Sequence, residues 1–370
     1  MTRLTRADLD ALPSYVPGRN VADLARELGI AEAIKLASNE VPFGPLPGVV
    51  EAVAECMLGS HRYPDMGVVD LRDKLADRYA VAADRVVTGC GSVALAEHLI
   101  RATSLPGDEV VYAWRSFEAY PIITATAGAT SVRVPNTAAH GHDLAALARA
   151  ITDRTRVVIV CNPNNPTGTS VSRAELDRFL DDVPSDVLIV LDEAYREFVA
   201  DEQVPDALTT YADRPNVVVL RTLSKAWGLA GLRIGFLVAQ PEVAAAVRKV
   251  VTPFSTSLVA QAAAMAALDQ EDEVRRRCAL VIAERDRVTE AARKLGVDVP
   301  TSQANFVWLP LGDRAAAFAA ACEQRGVIVR AFQGDGVRVT IGTPEENDAF
   351  LSAAEAALTD ERHGVGHLPS

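Results

Sequence analysis

Between residues 65 and 240, short runs of β-branched and aliphatic residues alternate with amphipathic stretches at helical spacing, and this alternation constrains the fold more than any other feature. The runs are Val110-Val111-Tyr112, Val157-Val158-Ile159-Val160, Val187-Leu188-Ile189-Val190-Leu191 and Val217-Val218-Val219-Leu220. Each is apolar on both faces, as a strand must be when helices cover both sides of its sheet. The pattern predicts an α/β fold built on a mostly parallel sheet.

Past Pro241 the texture changes. The stretch from Ser255 to Leu295 is Ala-rich, holds no Pro or Gly, and carries Arg275, Arg276, Arg277, Glu284 and Arg285. It is too long for one ordinary globular helix, so a helix pair or a long connector is expected, marking a domain boundary. Strand-like segments at Asn305–Trp308, Val327–Val329 and Val337–Thr340, with helices over 313–325 and 344–358, predict a smaller α+β unit. At the other end, LPSYVPGRN and NEVPFGPLPG predict an irregular arm. The expected division is an arm over 1–40, a large domain over 41–245 and a small domain over 246–370.

Charge and cysteine content exclude several partners. With 37 Lys and Arg against 49 Asp and Glu, the net charge of −12 opposes phosphate backbones and anionic lipid. No apolar run approaches the roughly 18 residues of a membrane span, and MTRLTRADLD lacks a signal-peptide core, so a soluble cytoplasmic protein is expected. Cys56, Cys90, Cys161, Cys278 and Cys322 are scattered without a C-x-x-C pair, which predicts buried free thiols. No metal site is expected, His363 and His367 belonging to a Gly-containing tail.

Three successive strands end in polar clusters, and ligands in open α/β sheets bind beyond the carboxyl ends of strands. Val160 runs into Cys161-Asn162-Pro163-Asn164-Asn165-Pro166-Thr167-Gly168, Leu191 into Asp192-Glu193-Ala194-Tyr195, and Leu220 into Arg221-Thr222-Leu223-Ser224-Lys225. One edge thereby receives an amide, a carboxylate with a phenol, and a lysine. A lysine that condenses with a carbonyl must lose its proton near neutral pH, so its ordinary pKa of about 10.4 has to be lowered by burial or nearby positive charge. Arg233 is a candidate source of that charge. Pyridoxal phosphate needs this set together: a Schiff-base lysine, an acid at the ring nitrogen and a phosphate site. Thr222, Ser224 and Arg233, with the turn Gly89-Cys90-Gly91-Ser92-Val93 opening a helix, suit a dianion. A dinucleotide turn would require a third glycine that is missing.

Together, Asn165-Pro166-Thr167-Gly168, Asp192-x-x-Tyr195, Ser224-Lys225 and Arg233 resemble fold-type I aminotransferases of the histidinol-phosphate aminotransferase group. The resemblance runs from Leu36-Ala37-Ser38-Asn39-Glu40 through Arg62-Tyr63-Pro64 to Arg338-Val339-Thr340-Ile341-Gly342, and implies a seven-stranded large domain. Gly89–Val93 and Trp114-Arg115-Ser116-Phe117-Glu118 look most like the actinobacterial aromatic amino acid aminotransferases. The resemblance implies that Lys225 carries the cofactor, Asp192 pairs with the ring nitrogen, Asn165 and Tyr195 bond the phenolic oxygen, and Phe117 stacks on the ring, with Trp114 as the alternative. It implies a homodimer in which Tyr63 reaches the partner's cofactor phosphate. Arg338 would hold the substrate α-carboxylate beside Asn39, and Phe254 and Phe332 would lie near the site.

One departure bears on the substrate. Histidinol-phosphate enzymes commonly read G-S-D-E where this chain has Gly91-Ser92-Val93-Ala94, whereas Tyr15 and Arg330 match positions that contact the substrate phosphate in that family. The expected activity is transamination of aromatic amino acids with 2-oxoglutarate as acceptor; the alternative is histidinol-phosphate transamination. A decarboxylase or lyase on the same fold is disfavoured by Arg338, which would retain the carboxylate. A cofactor-sensing regulator would need a basic DNA-binding module, and none is expected here.

Overall fold

The structure is a computed structural model that describes residues 20–364 together with Leu4, Thr5, Asp10 and Leu12, with side chains to Thr359. In chain order its strands are β1 (Ile34–Lys35), β2 (Val86–Gly89), β3 (Glu109–Trp114), β4 (Thr130–Pro135), β5 (Thr155–Cys161), β6 (Leu188–Asp192), β7 (Val217–Thr222), β8 (Gly235–Val238), β9 (Phe306–Leu309), β10 (Val327–Ile328), β11 (Arg330–Phe332) and β12 (Gly336–Thr340). Seven form one sheet in the order β2-β8-β7-β6-β5-β3-β4, in which β8 alone runs antiparallel to its neighbours. The predicted apolar runs occupy its centre. Val110, Val157, Val158, Val160, Val218 and Val219 are fully buried because helices pack on both faces.

Caps fix the helix boundaries. Ser172 and Glu175 form a reciprocal capping box at Arg173–Asp182, and the Ser257 hydroxyl accepts from the Ala260 amide at the start of Leu258–Leu268. Each such cap is worth about 1 kcal/mol. The Ala-rich stretch is a helix pair, Leu258–Leu268 and Glu271–Lys294, interrupted at Asp269-Gln270. The arm departs from expectation in containing a helix, Val21–Leu28. Asn20 caps it by accepting from the Ala22 amide at 2.8 Å, and Gly29 ends it at φ +66°.

Beyond the long helix, β11-β12-β9 make an antiparallel sheet that packs against Ala315–Glu323 and, at β9, Glu271–Lys294, with the helix Pro344–Gly364 lying against those two helices. β1 pairs in parallel with β10, Ile34 opposite Val327, tying the arm to this smaller unit. We propose from this arrangement the division 1–40, 41–245 and 246–370. The sheets remain distinct while one apolar core runs continuously from Leu36 through Val158 to Phe306 and Phe350. Among the described residues no helix is long and apolar enough to cross a membrane, and no cluster of three metal-ligating side chains occurs. The cysteines are free. Cys161, Cys278 and Cys322 are buried as expected, but Cys56 is only half-buried and Cys90 is exposed because it sits in the turn ahead of the helix Gly91–Thr103.

Candidate active site

A cavity of about 530 Å³ opens between the carboxyl ends of the large sheet and the small unit. Its wall includes Asn39, Ser92, Val93, Phe117, Asn165, Asp192, Tyr195, Thr222, Ser224, Lys225, Arg233, Arg330 and Arg338. Strand ends explain the first group: β5 leads to Asn165, β6 ends at Asp192 and β7 ends at Thr222, three residues before Lys225. Because β5, β6 and β7 are adjacent and parallel, their ends share one edge. Successive residues point to opposite faces there. Asp192 therefore enters the cavity while Glu193 turns away to a buried ion pair with Arg221 at 2.7 Å.

Asp192 is held by a group that sequence reasoning missed. The buried Tyr120 hydroxyl donates to Asp192 Oδ2 at 2.6 Å, whereas Oδ1 is buried with no hydrogen-bond partner. Burial raises the Asp192 pKa to about 6, against the opposing pulls of the Tyr120 bond and of the Ala194 backbone amide. Lys225 Nζ donates to the Ser38 carbonyl at 3.3 Å and lies 5.8 Å from the Tyr195 ring centroid. Its pKa is lowered to about 7, chiefly by burial and next by Arg338. Arg233 contributes less than Arg338, so the nearer residue in sequence is not the stronger influence.

The remaining contacts cross long stretches of chain. Arg338 donates to Asn165 Oδ1 and to the Ala37 carbonyl, each at 2.6 Å. Asn39 Nδ2 donates to the Tyr195 hydroxyl at 2.9 Å, and Thr340 Oγ1 bonds both the Asn39 amide and its side-chain oxygen. Burial also pushes the Tyr195 phenol upward, so it stays protonated at neutral pH. Arg330 donates to Glu118 Oε2 at 2.8 Å, and nearby Arg115 pairs with Asp335 at 2.6 Å.

At the opposite end the helix Gly91–Thr103 points its N-terminus at the cavity through Ser92 and Val93, with no acidic residue in its first turn. Gly91 adopts φ +80°, and a Cβ there would stand 2.5 Å from Arg233 Nη2, so glycine lets backbone and guanidinium approach together. Arg233 Nη1 donates to Ser224 Oγ at 3.2 Å, and the Thr222 hydroxyl accepts from the Ser224 amide at 3.1 Å.

Three expected residues, Trp114, Phe254 and Phe332, stand outside this chain's cavity wall, and Tyr63, expected at the partner's site, is outside it too. Trp114 is not in the cavity wall, its ring being covered by Arg115 and Arg133 at 4.8 and 4.5 Å. Phe332 is buried behind the wall against Trp308. Tyr63 is 83% exposed and stacks on Phe254 at 4.6 Å, so neither ring lines this chain's cavity. Tyr15 lies outside the described residues. Sequence reasoning also passed over Ile122 and Ile123, which extend the apolar wall beside Phe117.

Comparison with known proteins follows the same outline. Residues 31–353 match the family model described as aminotransferase class I and II. The chain is 57% identical to the aromatic amino acid aminotransferase of Streptomyces avermitilis, over 95% of this chain and 96% of that protein. It is 52% identical to the protein of that name from Mycolicibacterium smegmatis, over 95% and 94%. Among solved structures, histidinol-phosphate aminotransferase from Sinorhizobium meliloti, in complex with pyridoxal-5'-phosphate, superposes with a TM-score of 0.87 at 27% identity, covering 98% of this chain and 99% of the other.

Proposed function

The chain belongs to the class I and II aminotransferase family, and from that premise we propose that it transfers the amino group of aromatic amino acids to a 2-oxo acid, 2-oxoglutarate being the expected acceptor. Its cofactor is pyridoxal 5'-phosphate, and the residues present suit it. The buried, unpartnered Asp192 Oδ1 is the acceptor that a protonated ring nitrogen requires. The N-terminus at Gly91, with Ser92, Thr222, Ser224 and Arg233 around it, suits a phosphate dianion. Asn165 and Tyr195 are the donors for the phenolic oxygen, and Phe117 is the aromatic side chain available to the ring.

When bound, the cofactor supplies an electron sink for the charge left as the substrate Cα–H bond breaks. The chain's own groups do the rest. Lys225, whose pKa of about 7 makes the free amine accessible at neutral pH, is placed to take the α-proton and return it. Arg338 is the guanidinium for the α-carboxylate, matching its two oxygens with two parallel donors. Asp192 would keep a proton on the ring nitrogen, and Phe117, Ile122 and Ile123 give the cavity an apolar wall.

The observation that carries this reading is the convergence of Lys225, Asp192 and Arg338 on one cavity. The aromatic substrate class is supported by the apolar wall and by relatives 51–58% identical that bear that name. The phosphorylated alternative rests on the more distant structure at 27% identity. We further propose a homodimer, for which the exposed apolar side chains Leu58, Tyr63 and Met66, at 84, 83 and 63%, supply contact surface. A donor panel of phenylalanine, tyrosine and histidinol phosphate, with 2-oxoglutarate as acceptor, tests the assignment. Far higher kcat/KM for histidinol phosphate would replace the aromatic reading with the phosphorylated one.

A further inference from the structure

Arg330 and Arg338 stand directly opposite each other in the antiparallel pair of β11 and β12, and both line the cavity. Opposed residues project from the same face of a sheet, and like charges in that position repel. The structure relieves this from outside the sheet: Glu118, 212 residues from Arg330 in the chain, accepts from Arg330 Nη2 at 2.8 Å. Glu118 precedes the helix Ala119–Thr126 without capping it, so its carboxylate is committed to the guanidinium and not to its own helix. Both partners are mostly sheltered, at 17 and 29% side-chain exposure, which preserves more of the attraction than a solvated surface pair retains.

Two guanidiniums side by side make a site for a dianion, since each can present paired N–H donors to one phosphate. Two guanidiniums with one carboxylate carry a single net positive charge, which matches one monoanionic group, the charge that the α-carboxylate of an aromatic amino acid or either separate carboxylate of 2-oxoglutarate presents, whereas a phosphate concentrates two charges on one group. We propose that Glu118 is a specificity-determining residue: by holding Arg330 it converts a dianion site into a carboxylate site and so turns the enzyme away from phosphorylated amines. A phosphate would have to displace Glu118 or accept its repulsion. An α-carboxylate needs only Arg338. The inference rests on the proposed aminotransferase function for its substrates, and its charge balance can be measured without them.

Calorimetric titration of the holoenzyme with inorganic phosphate is the first test, comparing wild type, Glu118→Gln and Glu118→Gln/Arg330→Gln. The single variant should bind phosphate at least tenfold more tightly than wild type, and the double variant should lose that gain. In turnover, the ratio of kcat/KM for histidinol phosphate to that for phenylalanine should rise at least tenfold in Glu118→Gln and fall back in the double variant. Glu118→Ala repeats both measurements should the glutamine variant fold poorly. A change below threefold in phosphate affinity, or a gain that survives removal of Arg330, overturns the proposal. Failure of the wild-type enzyme to use phenylalanine would instead remove the functional assignment, leaving the phosphate titration to decide the role of Glu118.

Discussion

The hydroxyl of Tyr120 donates to Asp192 Oδ2 at 2.6 Å across 72 residues of chain, leaving Oδ1 as the carboxylate oxygen with no partner. One oxygen is thus fixed by the Tyr120 hydroxyl while the other makes no side-chain hydrogen bond. Tyr120 is a positioning residue in this arrangement. Hydrogen bonds to charged groups contribute about 1.5 to 3 kcal/mol, so Tyr120→Phe should lower kcat for phenylalanine by about tenfold or more. Loss of the bond also raises the Asp192 pKa, so the acidic limb of the pH–kcat profile should move to higher pH. An unchanged limb would mean that Tyr120 merely fills space.

Lys225 should attach the cofactor with a pH dependence unlike that of an ordinary lysine. Its free-amine fraction rises with pH and, at a pKa of about 7, reaches half near neutrality. The rate at which apoprotein takes up pyridoxal phosphate, followed by visible absorbance, should level off above about pH 8. A rate still climbing tenfold per pH unit at pH 9 contradicts the lowered pKa. Borohydride reduction should leave a mass adduct on wild type and none on Lys225→Ala.

Asp192 should cost the apoprotein stability. Its folded pKa of about 6 lies above the unfolded value of 3.8, so the folded state binds more protons and stability falls as pH rises between them. Above pH 6 the full penalty, about 3 kcal/mol, is present. In urea unfolding of apoprotein, the stability of Asp192→Asn relative to wild type should therefore improve by about 1 kcal/mol from pH 5 to pH 8. A relative stability that does not change with pH would show that the carboxylate is compensated in the apo state. The same variant should bind the cofactor more weakly.

Tyr63 tests assembly. If its exposed ring serves the partner's site, mixing inactive Tyr63→Ala and Lys225→Ala subunits should restore activity in hybrids, because one site then keeps both residues. Full activity from a species that sediments as a monomer argues against a shared site.

Asn165, Asp192, Thr222, Ser224 and Lys225 were legible in the sequence because in a parallel sheet the residues following adjacent strands are neighbours in space as well as in pattern. The buried strands β3, β5, β6 and β7 were equally plain, each needing apolar residues on both faces. The edge strand β4, with exposed Thr130 and Arg133, and the four-residue β8 carried no such signal. The helix Val21–Leu28 was masked by the prolines around it, although Asn20 and Gly29 mark its ends. Tertiary structure alone decided which residues answer these groups: Tyr120 for Asp192, Asn39 for Tyr195, Asn165 for Arg338 and Glu118 for Arg330, the last three pairs separated by 156, 173 and 212 residues. Local patterning records whether a side chain is covered and which way its backbone runs. The partner it meets depends on how distant elements pack, the helix Ala119–Thr126 against β6 for Tyr120 and the arm and small unit against the large domain for the other three, a relation between surfaces that no stretch of neighbouring residues encodes.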